Sequence, residues 1–429
     1  MRGSSLGPLP DGGRVVIIGG GPAGTATAIA LQQGAQALGR CLQITVVEGK
    51  RFAGEQHHNQ CAGVLSPPVV KLLQDKLAVP FPHHLSRRTI TGYVLHTPHR
   101  QLILDEEAEP SIALRRIQFD AYMLDMTRQR GIEVLSARAT GLEFHADRVI
   151  IYTESTPLEA DVVVGAFGLD EGTAALFQHA VGYRPPPALS SIVTKYHPGE
   201  AGIAEFGGRI HAFLPATPRI EFGAITPKGN HLTINIAGAR VDANLMTAFL
   251  SLPEVRRVLP CLENAGRINP NDFRYFKGRF PCGLGGNFTG DRFVIVGDAA
   301  GLVRAFKGKG VTSAIQTGIR AAEVILHRGI SASAFQAYHA ANRDITEDLP
   351  YGQAMRQFAI FAARIGLMDV ILQAAEKDIG LRRALFDAVS AHRPYRDVIR
   401  QAISPTSAWA IARTLVRRMS FSRPDQGPF

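Results

Sequence analysis

Runs rich in Val and Ile mark four candidate buried strands along the chain. Arg14–Gly19 (RVVIIG) and Leu42–Glu48 (LQITVVE) flank an alanine-rich helical pattern, and Asp161–Ala166 (DVVVGA) and Arg292–Gly297 (RFVIVG) follow much later. Strands that are apolar on both faces are typical of parallel sheets covered by helices. The runs therefore predict one parallel sheet, assembled from segments that are far apart in the sequence.

The pattern between and beyond these strands is different. From about residue 185 to 280 the strands are longer and alternate apolar and polar positions, as Ile220–Ile225 and His231–Ile236 do on either side of a turn. This alternation is typical of an antiparallel sheet. From about Ala332 onward the pattern is helical, which predicts a C-terminal helical region.

A glycine-rich turn connects the first strand to its helix. Gly19, Gly21 and Gly24 have Gly-x-Gly-x-x-Gly spacing with Ala23 among them, and Glu48 closes the second strand. The first glycine permits the tight turn, the second lets the backbone approach a pyrophosphate, and the third lets helix and strand pack closely. The helix N-terminus offers free N–H groups to phosphates, and an acid at the end of the second strand holds the ribose hydroxyls. This order of elements predicts a dinucleotide-binding βαβ unit.

The fold class predicted from these patterns is α/β. A Rossmann-like dinucleotide-binding domain with a parallel sheet is discontinuous and comprises 14–85, 111–184 and 281–331. An inserted substrate domain with an antiparallel sheet comprises 86–110 and 185–280. The C-terminal helical region comprises 332–429.

Composition and charge narrow the function classes. The chain is 45% hydrophobic and 20% charged, and its formal net charge of +10 favours nucleic acid, an acidic membrane face or phosphorylated ligands as partners. No nucleic-acid-binding motif is visible, so we expect no nucleic-acid partner. The four cysteines lack zinc or iron–sulfur spacing, and the N-terminal residues lack the pattern of a signal peptide. We therefore expect a cytoplasmic protein without a metal site.

Four segments together resemble the p-hydroxybenzoate-hydroxylase class of FAD enzymes, and they occur in the order of that class. They are Gly19–Gly24 with Glu48, Arg116–Asp120 (RIQFD), Asp161–Gly168, and Gly297–Gly301 (GDAAG). The resemblance implies FAD as the cofactor of the dinucleotide-binding domain. It implies that Arg116 lies near the FAD pyrophosphate or ribityl chain, and that Asp298, next to Gly297, binds a ribityl hydroxyl. It also implies that the segment Gly308-Lys309-Gly310 brings backbone N–H groups to the N1–O2 edge of the flavin, where they stabilise the reduced ring.

Two further segments resemble the geranylgeranyl reductase family. Cys61–Ser66 (CAGVLS) is similar to the family's segment beside the flavin, and it makes Cys61 the candidate catalytic residue, as a proton donor or a packing partner of the isoalloxazine. Phe222–Gly229 (FGAITPKG) is similar to the family's Tyr-x-Trp-x-Phe-Pro-Lys-Gly segment on the substrate sheet. The resemblance implies a pocket lined by Phe222, Ala224, Thr226 and Pro227. It implies that hydride from flavin N5 and a proton saturate a carbon–carbon double bond of a prenyl lipid or similar apolar substrate.

The chain also departs from these families. Ala224 and Thr226 replace the family's Trp and Phe, which predicts a wider or differently shaped pocket floor. Phe167 replaces the Asp of a common Asp-Gly pair, which argues against direct reduction by free NAD(P)H. We expect an external electron donor, with reduced ferredoxin, a flavoprotein and NAD(P)H as the candidates.

Other segments have two interpretations each. His57 and His58 precede Cys61 and either bind a substrate phosphate or lie in a solvated loop, and a metal site there lacks a fourth ligand. A lone cysteine such as Cys61 is commonly a small buried hydrophobe rather than a catalytic group. Ser407–Met419 combines apolar residues with three arginines. It either lies peripherally on the anionic inner face of a membrane or packs against the protein body.

Two other functions are compatible with these motifs. A flavin monooxygenase of the same fold would oxygenate an aromatic or polyketide substrate, and Phe167 argues mildly against it. Ala305–Gly310 (AFKGKG) is similar to electron-transfer-flavoprotein:quinone oxidoreductases, which would make the chain an electron-transfer module. Those proteins carry a cysteine-ligated cluster domain, whereas this chain has no cysteine after Cys282.

Overall fold

The computed structural model describes residues 6–50, 52, 61–105, 109–214, 217, 219–260, 273–304 and 310–421, with side chains as far as residue 416. His57, His58, Gly308 and Lys309 lie outside the described residues. The chain divides into two compact units. The first comprises Met1–Arg87, Leu114–Leu189 and Arg279–Pro350, and the second comprises Arg88–Ala113, Ser190–Gly278 and Tyr351–Phe429.

The described elements are nineteen strands and fifteen α-helices. The strands are β1 (Arg14–Ile18), β2 (Gln43–Val47), β3 (Val64–Leu65), β4 (Ser86–Ile90), β5 (Gly92–His96), β6 (Gln101–Asp105), β7 (Ser111–Leu114), β8 (Glu133–Leu135), β9 (Ala139–Phe144), β10 (Val149–Thr153), β11 (Leu158–Ala160), β12 (Val162–Gly165), β13 (Ala188–Tyr196), β14 (Arg209–Phe213), β15 (Phe222–Lys228), β16 (His231–Gly238), β17 (Phe276–Pro281), β18 (Thr289–Gly290) and β19 (Phe293–Ile295). The helices are α1 (Pro22–Ala37), α2 (Val69–Lys71), α3 (Arg116–Gln129), α4 (Glu171–Val181), α5 (Gly199–Phe206), α6 (Ala243–Leu250), α7 (Pro253–Arg256), α8 (Gly310–His327), α9 (Gln336–Ala341), α10 (Arg343–Thr346), α11 (Leu349–Arg364), α12 (Leu367–Ala375), α13 (Ile379–Ser390), α14 (Tyr395–Ala402) and α15 (Pro405–Phe421).

The first unit is built on a six-stranded sheet of order β18-β19-β12-β1-β2-β8. All neighbouring strands are parallel except the edge pair β18–β19. The central strand β1 places Val16 opposite Val163 on one side and Thr45 on the other. The four runs rich in Val and Ile supply β1, β2, β12 and β19 of this one sheet. The predicted discontinuous parallel sheet is confirmed.

Helices α1 and α8 of this unit pack closely because small residues lie between them. A Cβ atom on Gly318 would come within 2.6 Å of the Ala23 carbonyl oxygen, and one on Gly34 within 2.5 Å of Leu326 Cδ1. The start of α1 therefore packs against the middle of α8, and the end of α1 packs against the end of α8. The starts of both helices carry predicted cofactor residues.

The second unit contains a seven-stranded sheet of order β17-β13-β16-β15-β14-β5-β6. One face packs on a hydrophobic core that includes Ile225, Ile234 and Phe249. The strands β13, β16, β15 and β14 are antiparallel neighbours, as predicted, and β5–β6 is an antiparallel hairpin. The pair β14–β5 is parallel, with Ile210 opposite Tyr93. Alternation in sequence identifies strands without giving their direction, so the prediction described this sheet as wholly antiparallel.

The C-terminal helices belong to both units rather than to a separate region. Residues 332–350 fall in the first unit, and 351–429 fall in the second together with the sheet. Within the second unit Thr97, just after β5, donates a hydrogen bond from its hydroxyl to Asp369 on α12. Among the described residues no single helix has the length and hydropathy of a membrane span. The helical segments 343–364 and 367–375 meet these criteria only when they are taken together, and they are bent by 105° relative to each other.

Candidate active site

The predicted dinucleotide turn lies between β1 and α1. Gly19 has a φ of +112°, and a Cβ atom there would lie 2.4 Å from the carbonyl oxygen of Ala166 on the neighbouring chain segment. A Cβ atom on Gly24 would lie 1.8 Å from the Gly19 carbonyl oxygen, whereas one on Gly21 would meet nothing within 4 Å. The first and third glycines are therefore required by the turn itself. The second leaves an open approach to the backbone at the start of α1.

The carboxylate of Glu48 holds this turn. It accepts hydrogen bonds from the backbone N–H of Gly20 (2.8 Å) and of Lys50 (2.7 Å). Glu48 ends β2, so these bonds connect the ends of adjacent parallel strands. The residue thus has a structural role in addition to its predicted contact with a ribose.

Asp298 lies in a tight 3-10 turn, Gly297–Ala300, that follows β19. The Gly297 N–H donates to the hydroxyl of Thr317 on α8 (3.0 Å), and the hydroxyl of Tyr183 donates to the Ala299 carbonyl (2.6 Å). Sequence analysis did not identify Thr317 or Tyr183, because neither belongs to a motif and both act through the backbone of a distant turn. They are positioning residues for Asp298.

Asp298 as a whole is half-buried, but its Oδ1 atom is buried and has no hydrogen-bond partner among the described residues. Burial raises the pKa of this carboxyl above its ordinary value, and the nearby guanidinium of Arg116 acts in the opposite direction. A Cβ atom on Gly310, the first residue of α8, would lie 2.6 Å from the same Oδ1 atom. A side chain at position 310 would therefore crowd the free acceptor. The site presents a buried carboxylate oxygen that lacks a donor from the described chain.

Arg116, the first residue of α3, lies beside this carboxylate. Its guanidinium forms a bidentate ion pair with Asp120 one turn later (2.9 and 3.2 Å from Nη2). Burial lowers the pKa of Arg116, but the charges of Asp120, Cys61 and Asp298 outweigh burial and raise it overall. Cys61 and Asp298 therefore each lie within electrostatic range of Arg116, so the fold brings two predicted site residues near a third.

The segment that contains Cys61 is attached to the start of α8. The hydroxyl of Thr312 on α8 donates to the Ser66 carbonyl (3.2 Å), and the Gly63 carbonyl accepts from the Leu114 N–H just before α3 (2.9 Å). The candidate catalytic cysteine is thereby tied to the elements that carry Gly310 and Arg116. Its thiol is half-buried.

The predicted substrate residues lie together on β15 in the second unit. Ala224 is opposite Asn235 on one side and Ala212 on the other, and Thr226 is opposite Thr233. Phe222 and Ala224 are half-buried, and Thr226 and Pro227 are buried. Directly opposed residues share a face of the sheet, so Ala224 is surrounded by small or polar side chains. This surrounding is consistent with the loss of the family's large aromatic residues.

Phe167 has a structural environment of its own. Its ring stacks on Phe177 (5.2 Å between centroids) and meets Tyr183 edge-on (5.8 Å). The residue that replaces the common Asp is thus part of an aromatic cluster beneath the Asp298 turn, since Tyr183 also bonds to Ala299. Within the described ranges no group of three or more His, Cys, Asp or Glu residues is arranged to hold a metal ion.

These features together define the chemistry that the first unit can bind. The open backbone at Gly21 and the start of α1 suit phosphates. The buried acceptor of Asp298 suits a hydroxyl donor, and glycine at position 310 leaves room beside it. A diphosphate joined to a polyhydroxylated chain, as in FAD, satisfies both requirements. The described residues therefore fit the cofactor that the sequence predicts.

Comparison with known proteins gives a consistent result. No protein-family model matches the chain. The chloroplastic geranylgeranyl diphosphate reductase of Nicotiana tabacum is 24% identical over 336 residues, which cover 73% of this chain and 66% of that relative. The chain thus spans slightly less than two thirds of the relative's length.

Solved structures with the same fold include a geranylgeranyl bacteriochlorophyll reductase-like protein from Thermoplasma acidophilum. It has a TM-score of 0.67 and 16% identity, and the match covers 91% of this chain and 98% of that protein. A variant of the halogenase PltM in complex with FAD has a TM-score of 0.61 and 13% identity, over 96% of this chain and 92% of that protein. These matches confirm the predicted fold class, and the PltM variant holds FAD in that fold. The chain is a homologue of geranylgeranyl diphosphate reductase with the fold of FAD-dependent flavoprotein oxidoreductases.

Proposed function

We propose that this flavoprotein oxidoreductase reduces carbon–carbon double bonds of an isoprenoid or similar apolar substrate. The observation that carries the proposal is the grouping of Cys61 with Arg116 and Asp298 in a chain homologous to a geranylgeranyl diphosphate reductase. The grouping supports Cys61 as a proton donor near the residues that fit the ribityl chain of FAD. Reduction of a carbon–carbon double bond needs a hydride from one donor and a proton from another. In this proposal the donors are FAD and Cys61.

The first unit holds the cofactor in this proposal. Gly21 and the start of α1 bind the pyrophosphate, Glu48 binds the ribose, and Asp298 accepts a hydrogen bond from a ribityl hydroxyl. Arg116 balances the charge of these groups. FAD held by these residues would supply hydride chemistry when reduced.

Cys61 donates the proton to one alkene carbon. The Arg116 guanidinium lies within electrostatic range of Cys61. Hydride and proton together add two hydrogen atoms across the double bond. An unactivated alkene offers no polar handle, so its chain has to be held by apolar burial and shielded from water.

The proposal is tested anaerobically with the purified FAD-loaded protein. The flavin is reduced with dithionite, mixed with geranylgeranyl lipids, and followed by absorbance while the product is analysed by mass spectrometry. Flavin reoxidation with a product heavier by two hydrogen atoms supports the proposal. A flavin that stays reduced with these lipids, and is reoxidised by a quinone or by oxygen instead, contradicts it in favour of electron transfer or oxygenation.

A further inference from the structure

The second unit exposes three large apolar side chains more fully than any others in the described residues. Ile379 is 83% exposed, Ile403 is 70% exposed and Trp409 is 63% exposed. We call these three residues the apolar corner. Single exposed apolar residues are ordinary, but a group of them marks an interaction site.

A hydrogen-bond network holds the apolar corner together. The Asp378 carboxylate accepts from the Leu381 N–H at the start of α13 (2.6 Å) and from the Ser407 hydroxyl on α15 (3.0 Å). The Ser404 hydroxyl, between α14 and α15, donates to Ser407 (2.9 Å). Each member of the apolar corner lies one or two residues from one of these three polar residues. The network therefore holds together the helix ends that carry the three members of the apolar corner.

Basic residues surround the apolar corner. Lys377, Arg400 and Arg413 each lie within four residues of one of its members, and all three are exposed. The Arg413 guanidinium lies over the Trp409 ring, 5.0 Å from its centroid. Helix α15 contains no acidic residue. Apolar side chains with basic neighbours are complementary to an anionic interface.

The acidic residues in the same stretch offset only part of this charge. Glu376 is 3.6 Å from Arg100, and Asp397 is 3.6 Å from Arg400. The stretch 351–421 carries eleven Lys and Arg residues against five Asp and Glu residues. The helical part of the second unit is therefore strongly cationic.

We propose that the apolar corner inserts into the headgroup region of an anionic phospholipid bilayer. Protruding Ile and Trp side chains lose their contact with water on entering a deformable interface, whereas a folded protein partner would need matching pockets for all three. Trp is characteristic of the membrane–water boundary, and each nearby Lys or Arg adds attraction to anionic headgroups. The docked position gives the protein access to apolar substrates that reside in the membrane.

The single tryptophan of the chain makes the proposal directly measurable, because Trp409 is the only source of tryptophan emission. The FAD-loaded full chain is titrated with vesicles of phosphatidylcholine alone and of phosphatidylcholine with phosphatidylglycerol. We expect a blue shift of the emission only with the anionic vesicles, and quenching when their acyl chains are brominated. The experiment uses no substrate, so its outcome is independent of the proposed reductase activity.

Variants separate the apolar and the electrostatic contributions in a vesicle sedimentation assay. Ile379→Ser or Ile403→Ser should lower binding to anionic vesicles about tenfold, and Arg413→Gln about fivefold. Ile103→Ser, which changes a 43% exposed residue on β6, should leave binding unchanged. Equal binding by the serine variants and the parent chain would overturn the proposal. The proposal would also be overturned by an emission shift that depends on protein concentration, or on an added acidic protein, and not on vesicles. The apolar corner would then bind a second copy of the chain or a protein partner.

Discussion

Removal of the Asp298 carboxylate provides the sharpest test of the cofactor site. In the chain alone the buried Oδ1 atom has no hydrogen-bond donor among the described residues, and burial raises the pKa of the group. The carboxylate is therefore unfavourable for the unliganded fold and favourable for the complex with FAD. Asp298→Ala should accordingly weaken FAD binding, whereas Asp298→Asn should not destabilise the apoprotein.

The magnitudes follow from the interactions involved. A hydrogen bond to a charged group contributes about 1.5–3 kcal/mol, so Asp298→Ala should weaken FAD binding about 10- to 100-fold. In the apoprotein Asp298→Asn should leave the free energy of unfolding unchanged or raise it, by up to about 1 kcal/mol, since a buried charge disappears. The raised pKa also means that the parent apoprotein loses stability as the pH rises through the folded-state pKa of Asp298. The Asn variant should lack this loss.

The assay combines FAD titration with urea unfolding of the apoprotein. Asp120→Asn is the matched control, because it breaks the buried ion pair with Arg116 and should destabilise the apoprotein by about 3 kcal/mol. An Asp298→Ala variant that binds FAD as tightly as the parent chain would refute the assigned role. An Asp298→Asn apoprotein destabilised as much as the Asp120→Asn control would show that the carboxylate has a structural role.

Three further predictions address the other parts of the protein. Cys61→Ala should slow substrate reduction at least tenfold with FAD still bound, as followed by anaerobic stopped-flow absorbance, and an unchanged rate would leave the thiol with a packing role only. Ala224→Trp should raise KM for long prenyl chains more than for short ones, because it narrows the predicted pocket, and equal changes for all lengths would place the pocket elsewhere. Burial lowers the pKa of His96 to about 3 and that of His211 to about 4, with Arg257 and Arg209 contributing after burial. The unfolded chain takes up these protons as the pH falls, so stability should drop by about 2 kcal/mol per histidine from pH 7 to pH 5. Urea unfolding of a His96→Gln variant should show about half of this pH dependence of stability. A parent chain whose stability changes no more with pH than that of the variant would contradict the lowered pKa of His96.

The sequence predicts the parts of this fold that depend on local chemistry. The glycines at positions 19 and 24 follow from backbone approach distances that any side chain would violate, and Gly21 completes the spacing of the motif. The burial of β1 and β12 on both faces follows from their runs of Val and Ile. Each of these signals lies within a few consecutive residues, so it is visible without knowledge of the tertiary structure.

Features that depend on the meeting of distant segments could not be predicted. Tyr183 bonds to a carbonyl 116 residues away, and nothing in its own surroundings marks it as a support for the Asp298 turn. The parallel direction of β14 and β5 depends on the path of the chain between them and not on their residues. The prediction for the C-terminal segment mentioned the Trp409 helix but missed Ile379, which joins it only through the bond between Asp378 and Ser407.

The arrangement around Asp298 shows why the cofactor site is effective before any ligand binds. The backbone of the turn is held by hydrogen bonds to Thr317 and from Tyr183, on two different elements. The Oδ1 atom of Asp298, in contrast, has no hydrogen-bond partner among the described residues. Because the turn is already rigid, a ribityl hydroxyl that bonds to Oδ1 removes the penalty of an unpaired buried oxygen without ordering any chain. In the proposed complex the binding free energy of FAD would add directly to the stability of the first unit. The same buried oxygen would then contribute both to cofactor affinity and to stability.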